Sequence, residues 1–414
     1  ALKRSLIRSF TSSKKMVKMH LSDTLSRLSE SATLAMARKS RELKEKGVDV
    51  ISLSLGEPDF NTPDFIKDAA IAAIQGNFSS YPPVNGYLDV RQAISRKFKR
   101  DNNLDYSPEQ IVVSTGAKQS IANVVMAIVS TGEEVIIPAP FWVSYEEIIK
   151  LANGIPVSVH CGLDVDFKMS ATEFRKAITP KTRMMIFSTP CNPTGSFYSK
   201  AELAEIADVM KENPQMYVIC DEIYEHINFS GGHESLAQFT EIKDRVITVN
   251  GVSKAFAMTG WRIGYIGAAK WIADACNKLQ GQITSGACGI AQKAAAAAVD
   301  ADPNVTFAMR DEFKARRDMM LLELRSIPGL NVNEPGGAFY LYPEVSHYIG
   351  RSYNGRKITS SNELCEYLLE EVHLALVSGE AFGTPGFIRI SYAASQKDLK
   401  EAMNRLKKGL AQLT

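Results

Sequence analysis

The chain has 414 residues, 45% of them apolar and 23% charged, which exceeds one hydrophobic core and matches the balance of packed, water-facing domains. Its 48 Lys and Arg nearly cancel its 46 Asp and Glu; that argues against a nucleic-acid partner, and no apolar run reaches the roughly 20 residues of a membrane-spanning helix. Six scattered cysteines with no C-x-x-C pair read as reduced thiols, leaving no framework for zinc or disulfides.

From Ala1 to Ser22 there is no acid, while Lys3, Arg4, Arg8, Lys14, Lys15 and Lys18 are basic and Leu2, Leu6, Ile7 and Phe10 share a helical face. This leader reads as a transit peptide for the mitochondrial matrix; the alternative is a basic tail on a cytoplasmic protein. Ser31–Lys46 reads as a helix. Short Val- and Ile-rich strands are then expected at Ile111–Ser114, Glu134–Ile137, Met184–Phe187, Tyr217–Cys220, Val246–Val249 and Gly264–Gly267. Helices are expected between them, at Lys118–Val129, Trp142–Leu151, Ala201–Lys211 and Lys270–Leu279. Such alternation predicts a mostly parallel sheet with helices on both faces. The last third differs: a helix at Asn304–Leu324, strands at Gly329–Asn333, Gly337–Tyr342 and Phe387–Ser391, and helices at Ser361–Val372 and Gln396–Gln412. The expected organisation is a leader (1–22), a large domain (61–305), and a small α+β domain built from both chain ends (23–60 with 306–414), with a ligand cleft between the two.

Polar clusters stand at the ends of the expected strands, where an open α/β sheet places its ligand. Ser114-Thr115-Gly116-Ala117-Lys118 opens a helix whose N–H groups suit a phosphate. Ser188-Thr189-Pro190-Cys191-Asn192-Pro193-Thr194-Gly195 presents the Asn192 amide on a loop stiffened by prolines. Asp221-Glu222-Ile223-Tyr224-Glu225 puts a carboxylate at the rim of an apolar core, where it needs a partner or a raised pKa. Asn250-Gly251-Val252-Ser253-Lys254 carries an amine among small and apolar neighbours, which would lower its pKa and make it a nucleophile; Arg262 follows as a second cation. Arg389 lies inside the apolar run Ile388–Ser391, an expensive place for a charge without a partner.

Together S-L-G-E-P-D-F, C-N-P-T-G, D-E-I-Y-E, S-K-A-F-A-M-T-G-W-R-I-G and R-I-S-Y, in this order from about Leu25 to the C-terminus, resemble the class I aminotransferases, nearest their bacterial and plant aspartate/prephenate branch. The resemblance implies an α/β enzyme of the pyridoxal-phosphate-dependent transferase fold type I, with pyridoxal 5′-phosphate as cofactor and amino acids and keto acids as substrates. It implies that Lys254 holds the cofactor as a Schiff base and moves the substrate proton, that Asp221 pairs with the pyridine nitrogen, and that Tyr224 and Asn192 hydrogen-bond the phenolic oxygen. Ser253, Arg262, Gly116 and Ala117 would bind the phosphate, and Trp142 would stack on the ring. Arg389 would grip the substrate α-carboxylate, and Gly56 and the Gly336-Gly337-Ala338-Phe339 turn would close against the substrate. Tyr81 resembles the tyrosine that crosses to a neighbouring subunit's phosphate, which implies a homodimer with shared active sites.

Lys118 and Thr33 match the positions that recognise a second carboxylate, with Ser285 a helper from the partner chain. They favour L-aspartate as donor and 2-oxoglutarate or oxaloacetate as acceptor, with glutamate or prephenate also used. The alternatives are an aminotransferase for neutral or aromatic amino acids, such as alanine or kynurenine, and a lyase on the same scaffold.

Overall fold

A computed structural model describes residues 21–414; the expected leader, but for its last two residues, lies outside the described residues. Seven strands form one sheet: Ile111–Ser114, Glu134–Ala139, Ile155–His160, Thr182–Ser188, Tyr217–Asp221, Val246–Gly251 and Gly264–Gly267. Tyr217–Asp221 is the central strand, flanked in parallel by Thr182–Ser188 and Val246–Gly251. Gly264–Gly267 alone runs antiparallel, inserted between Val246–Gly251 and Ile111–Ser114.

Side chains alternate across a strand, and here both faces are covered. Ile136, Met185, Val218 and Cys220 pack into one core with helices Leu88–Asn102, Lys200–Glu212 and Gly289–Asp300. Ile137, Ile186, Ile219 and Val249 pack into another with helices Ala117–Ile128, Ser144–Leu151 and Lys270–Ile283. Burial on both faces is why these strands read as unbroken apolar runs. Ile155–His160 escapes such a reading because it is the edge strand: it pairs only with Glu134–Ala139, carries Pro156 and alternates in exposure.

A further core draws on both ends of the chain. Met36, Val50 and Leu53 join Phe313, Leu324, Leu368, Ile390 and Leu406 in it, and Ile223, Tyr224 and Ile227 enter from the turn after the central strand. Ile51–Ser52 pairs in parallel with Leu374–Ala375, while Val377–Ser378, Ile388–Ser391 and Tyr340–Leu341 make a small antiparallel sheet. Three readings are corrected here. Gly329–Asn333 is not a strand: only Asn331 bridges, to Glu344, in a segment bracketed by Pro328-Gly329 and Pro335. Gly337–Tyr342 is a strand only at Tyr340–Leu341, because Ala338 turns at φ 57°. The helix expected from Trp142 starts at Ser144, which leaves Trp142 on the preceding loop. No helix among the described residues is long and apolar enough to cross a membrane.

Phe313 is fully buried, with its ring 5.4 Å from Phe60 and 5.1 Å from Phe339. Phe313→Ala is expected to lower the unfolding free energy by about 3–5 kcal/mol in a denaturant titration. A loss below about 1 kcal/mol would show that the core joining the chain ends does not depend on this ring.

Candidate active site

The central strand ends at Asp221, a buried carboxylate. Tyr145 donates its hydroxyl to Oδ2 at 2.8 Å, and the Ile223 N–H donates to Oδ1 at 3.3 Å. Burial lifts the Asp221 pKa to about 6 despite these two bonds. Among the described residues no cation forms an ion pair with it.

The turn that follows is anchored from behind. Glu222 accepts from Ser235 Oγ at 2.6 Å and lies 3.0 Å from His233 Nε2. Glu225 pairs with Lys97 and accepts from Asn102 Nδ2 at 2.6 Å, with His226 Nε2 at 3.3 Å. Buried acids need such partners. Asp101, Glu222 and Glu225 carry three negative charges against the positive charges of Lys97 and Arg100. A proton on His233 brings the cluster to neutrality; burial opposes it, but Glu222 prevails and the His233 pKa is raised.

Strand Val246–Gly251 leads to Ser253 and Lys254. Lys254 Nζ donates to the Gly56 carbonyl, and burial, together with the nearby Arg389 cation, brings its pKa down to about 8. Arg262 sits in the left-handed region at φ 57° and donates to the Thr259 carbonyl at 2.9 Å. Two glycines let these parts converge. A Cβ at Gly116 would collide with the Arg262 guanidinium, and one at Gly264 with the Ala117 nitrogen. The N-terminus of helix Ala117–Ile128 and a guanidinium thus form one cradle, suited to a phosphate.

Arg389 is 1% exposed. It donates to Asn192 Oδ1 at 2.9 Å and to the Ser54 carbonyl, while its Nε has no partner. No acid among the described residues pairs with it; its guanidinium rests 4.6 Å from the Tyr340 ring and 5.0 Å from that of Phe382. Such an arginine is set to take a carboxylate from a ligand. The Asn192 carbonyl is engaged by Arg389, so its amide donor is the part available to a ligand. Tyr224 and Tyr340 join hydroxyls at 2.7 Å.

These groups surround one cavity of about 230 Å³. Of the residues singled out in the sequence, Asp221, Tyr224, Asn192, Ser253, Lys254 and Arg262 line it, as do Thr33, Gly56, Ala117, Lys118, Trp142 and Arg389. Gly116 lies just behind, against Arg262. Lys118 Nζ stands 5.0 Å from the centre of a Trp142 ring, its pKa lowered by burial and by Arg262. Tyr81 and Ser285 do not line this cavity, and Tyr81 is 95% exposed. Tyr340, not Phe339, supplies the aromatic wall from the small sheet: the turn at Ala338 sends Phe339 into the core behind it. Tyr145 and Tyr340 line the cavity without any signal in the sequence, and Ser188 joins them from the start of the Ser188–Gly195 cluster. Tyr145 and Tyr340 each lie within three residues of an aromatic singled out in the sequence; Tyr145 lines the cavity together with Trp142, whereas Tyr340 lines it in place of Phe339.

The family model described as aminotransferase class I and II matches residues 48–406. The chain belongs to this family. It is 45% identical over 396 residues to a "Probable aspartate/prephenate aminotransferase" of Rickettsia bellii, covering 95% of this chain and 99% of that one. It is also 45% identical over 399 residues to the "Bifunctional aspartate aminotransferase and glutamate/aspartate-prephenate aminotransferase" of Petunia hybrida, covering 95% and 83% respectively. Among solved structures, the aspartate aminotransferase of Rhizobium meliloti superimposes with a TM-score of 0.92 at 38% identity, over 96% of this chain and all of that one. The Thermus thermophilus aspartate aminotransferase with maleate gives 0.88 at 35%, over 95% of this chain and all of that one.

The enzyme is a pyridoxal-phosphate-dependent transaminase, and its cavity fits the cofactor on structural grounds. The cradle is shaped and charged for a phosphate, Asp221 has no ion-paired cation for a ring nitrogen to displace, and Lys254 is partly neutral near pH 8.

Two pH-dependent outcomes follow. Because Asp221 binds its proton more tightly in the folded chain, its ionisation costs stability as pH rises from about 4 through 6. Asp221→Asn is therefore expected to stabilise the cofactor-free protein at pH 7 by about 1–3 kcal/mol while weakening cofactor retention. Thermal unfolding at pH 4 and pH 7 checks this; destabilisation at pH 7 would contradict it. His233 has the same sign at higher pH: its raised pKa gives stability that is full below about pH 6.5 and fades as pH rises through the folded value. The stability gap between wild type and His233→Asn should narrow from pH 6 to pH 9, and a gap independent of pH would contradict the protonated pair.

Proposed function

We propose that the protein is an aspartate aminotransferase that moves the amino group of L-aspartate to 2-oxoglutarate in two half-reactions, and that it also accepts glutamate or prephenate. The observation that carries this reading is the meeting, in one cavity, of a buried acid without a cation, a lysine of lowered pKa and a buried arginine without an acid.

Pyridoxal phosphate, when bound, supplies the electron sink that receives the pair left as the substrate Cα–H bond breaks. Asp221 would keep a proton on the pyridine nitrogen, and Tyr224 and the Asn192 amide would donate to the phenolic oxygen. Ser253, Arg262 and the N–H groups at Gly116-Ala117 would hold the phosphate, and Trp142 would cover the ring. Lys254 would hold the cofactor covalently and, as the amine of lowered pKa in the cavity, would serve as the base that takes and returns the substrate Cα proton. Arg389 clamps the α-carboxylate beside Asn192, which fixes the Cα–H bond relative to Lys254.

Lys118 and Thr33 both line the cavity, and Lys118 offers it a cation for a second carboxylate. The names of the Rickettsia and Petunia relatives, and the dicarboxylate maleate in the Thermus structure, support this choice. A homodimer is proposed as the working unit. Helix Asp64–Gln75 presents Phe65, Ile71 and Ile74 to solvent, and a second copy packed there would let Tyr81 and Ser285 reach its neighbour's site. A mitochondrial address rests on the composition of the leader alone; the reported relatives, bacterial and plant, lend it no support.

The test is an absorbance spectrum of the holoenzyme with added amino acids. L-Aspartate should shift the cofactor band and 2-oxoglutarate should restore it. Lys118→Ala should raise KM for aspartate about 10- to 100-fold, the scale of one charged hydrogen bond, while leaving alanine turnover unchanged. An unchanged aspartate KM, with faster turnover of alanine or kynurenine, would favour the neutral or aromatic class. Product released without any keto acid would favour a lyase.

A further inference from the structure

We infer that Tyr340 is a positioning residue: its hydroxyl donates to Tyr224 and so directs the Tyr224 proton into the cavity. This rests on the proposed placement of Tyr224 against the cofactor's phenolic oxygen. Tyr224 and Tyr340 are both buried and their hydroxyls lie 2.7 Å apart, and neither has another hydrogen-bond partner among the described residues. One bond joins two hydroxyls, so one of them must accept and spend its proton elsewhere.

The surroundings decide the direction. The Gly56 carbonyl accepts from Lys254, and the Tyr340 hydroxyl bonds to Tyr224 and not to that carbonyl. Above the Tyr340 ring, 4.6 Å away, stands the Arg389 guanidinium, which offers only donors and whose charge draws electron density from the phenol, making it a better donor. Tyr340 therefore donates. Tyr224 accepts, and its own proton is left for the cavity it lines. Edge-on contacts with Phe339 at 5.4 Å and Tyr340 at 5.8 Å hold the Tyr224 ring in place.

The same arrangement explains a glycine that the mechanism leaves unexplained. A Cβ at Gly56 would collide with the Tyr340 hydroxyl, so the glycine of S-L-G-E-P-D-F makes room for it. The hydroxyl thus comes from the small sheet and acts on a tyrosine that follows the central strand of the large one.

The experiment is a pH titration of the cofactor absorption band in wild-type, Tyr340→Phe, Tyr224→Phe and doubly substituted holoenzymes. Tyr340→Phe keeps the ring and should leave thermal stability near the wild-type value. It is expected to move the band's midpoint up by about 0.5–1 pH unit, the scale of one hydrogen bond. Tyr224→Phe should move it further, and the double substitution should match Tyr224→Phe alone. A wild-type midpoint in Tyr340→Phe would leave Tyr340 as packing and overturn the inference. So would a Tyr340→Phe shift that adds in full on top of Tyr224→Phe. An unshifted midpoint in Tyr224→Phe would overturn the placement of Tyr224 itself, and the inference with it.

Discussion

A carboxylate at the end of the central strand, buried and without a cation, is the constraint around which this enzyme is built. Asp221 cannot ionise cheaply where it lies. Two hydrogen bonds hold it in place, and a cluster of paired charges fixes the turn behind it. In the proposed role of Asp221, a protonated ring nitrogen would relieve that cost once the cofactor is bound. Stability and chemistry are thus opposed at one side chain, as is common where activity needs a strained or unsatisfied group.

The remaining charges follow the same logic on different elements. Lys254 is kept partly neutral by burial and by the cations of Arg389 and Arg262. Arg389 spends its donors on an amide and a carbonyl and leaves a cationic face toward the cavity. The large sheet supplies the acid and the lysine, and the small sheet supplies the arginine and Tyr340, so the site exists only where the two units meet. The core that includes Tyr224 also holds residues from both chain ends, which couples that meeting to folding.

The legible part of the structure is the part with a repeating physical cause. Strands covered on both faces show as apolar runs, and motifs at their ends carry charges that a core would otherwise exclude; Asp221, Lys254 and Arg389 could be found on that basis. Ile155–His160 was missed because an edge strand has no such run, and Gly329–Asn333 was misread because apolar residues between prolines look like a strand without being one. Phe339, in the turn that the motif singles out, gives way to Tyr340 at the cavity because the left-handed turn at Ala338 leaves no mark in an alanine. The partners of the buried acids were invisible for another reason. Lys97 and Glu225 are 128 positions apart, and only the packing of helix Leu88–Asn102 against the central turn brings them together.

The most direct test is chemical trapping. Borohydride reduction of the holoenzyme, followed by digestion and mass spectrometry, should leave one pyridoxyl group per chain, on the Lys254 side chain, and the same treatment of Lys254→Ala should leave none. A pyridoxyl group on another lysine, or none in the wild-type holoenzyme, would contradict the assignment of this cavity as the cofactor site.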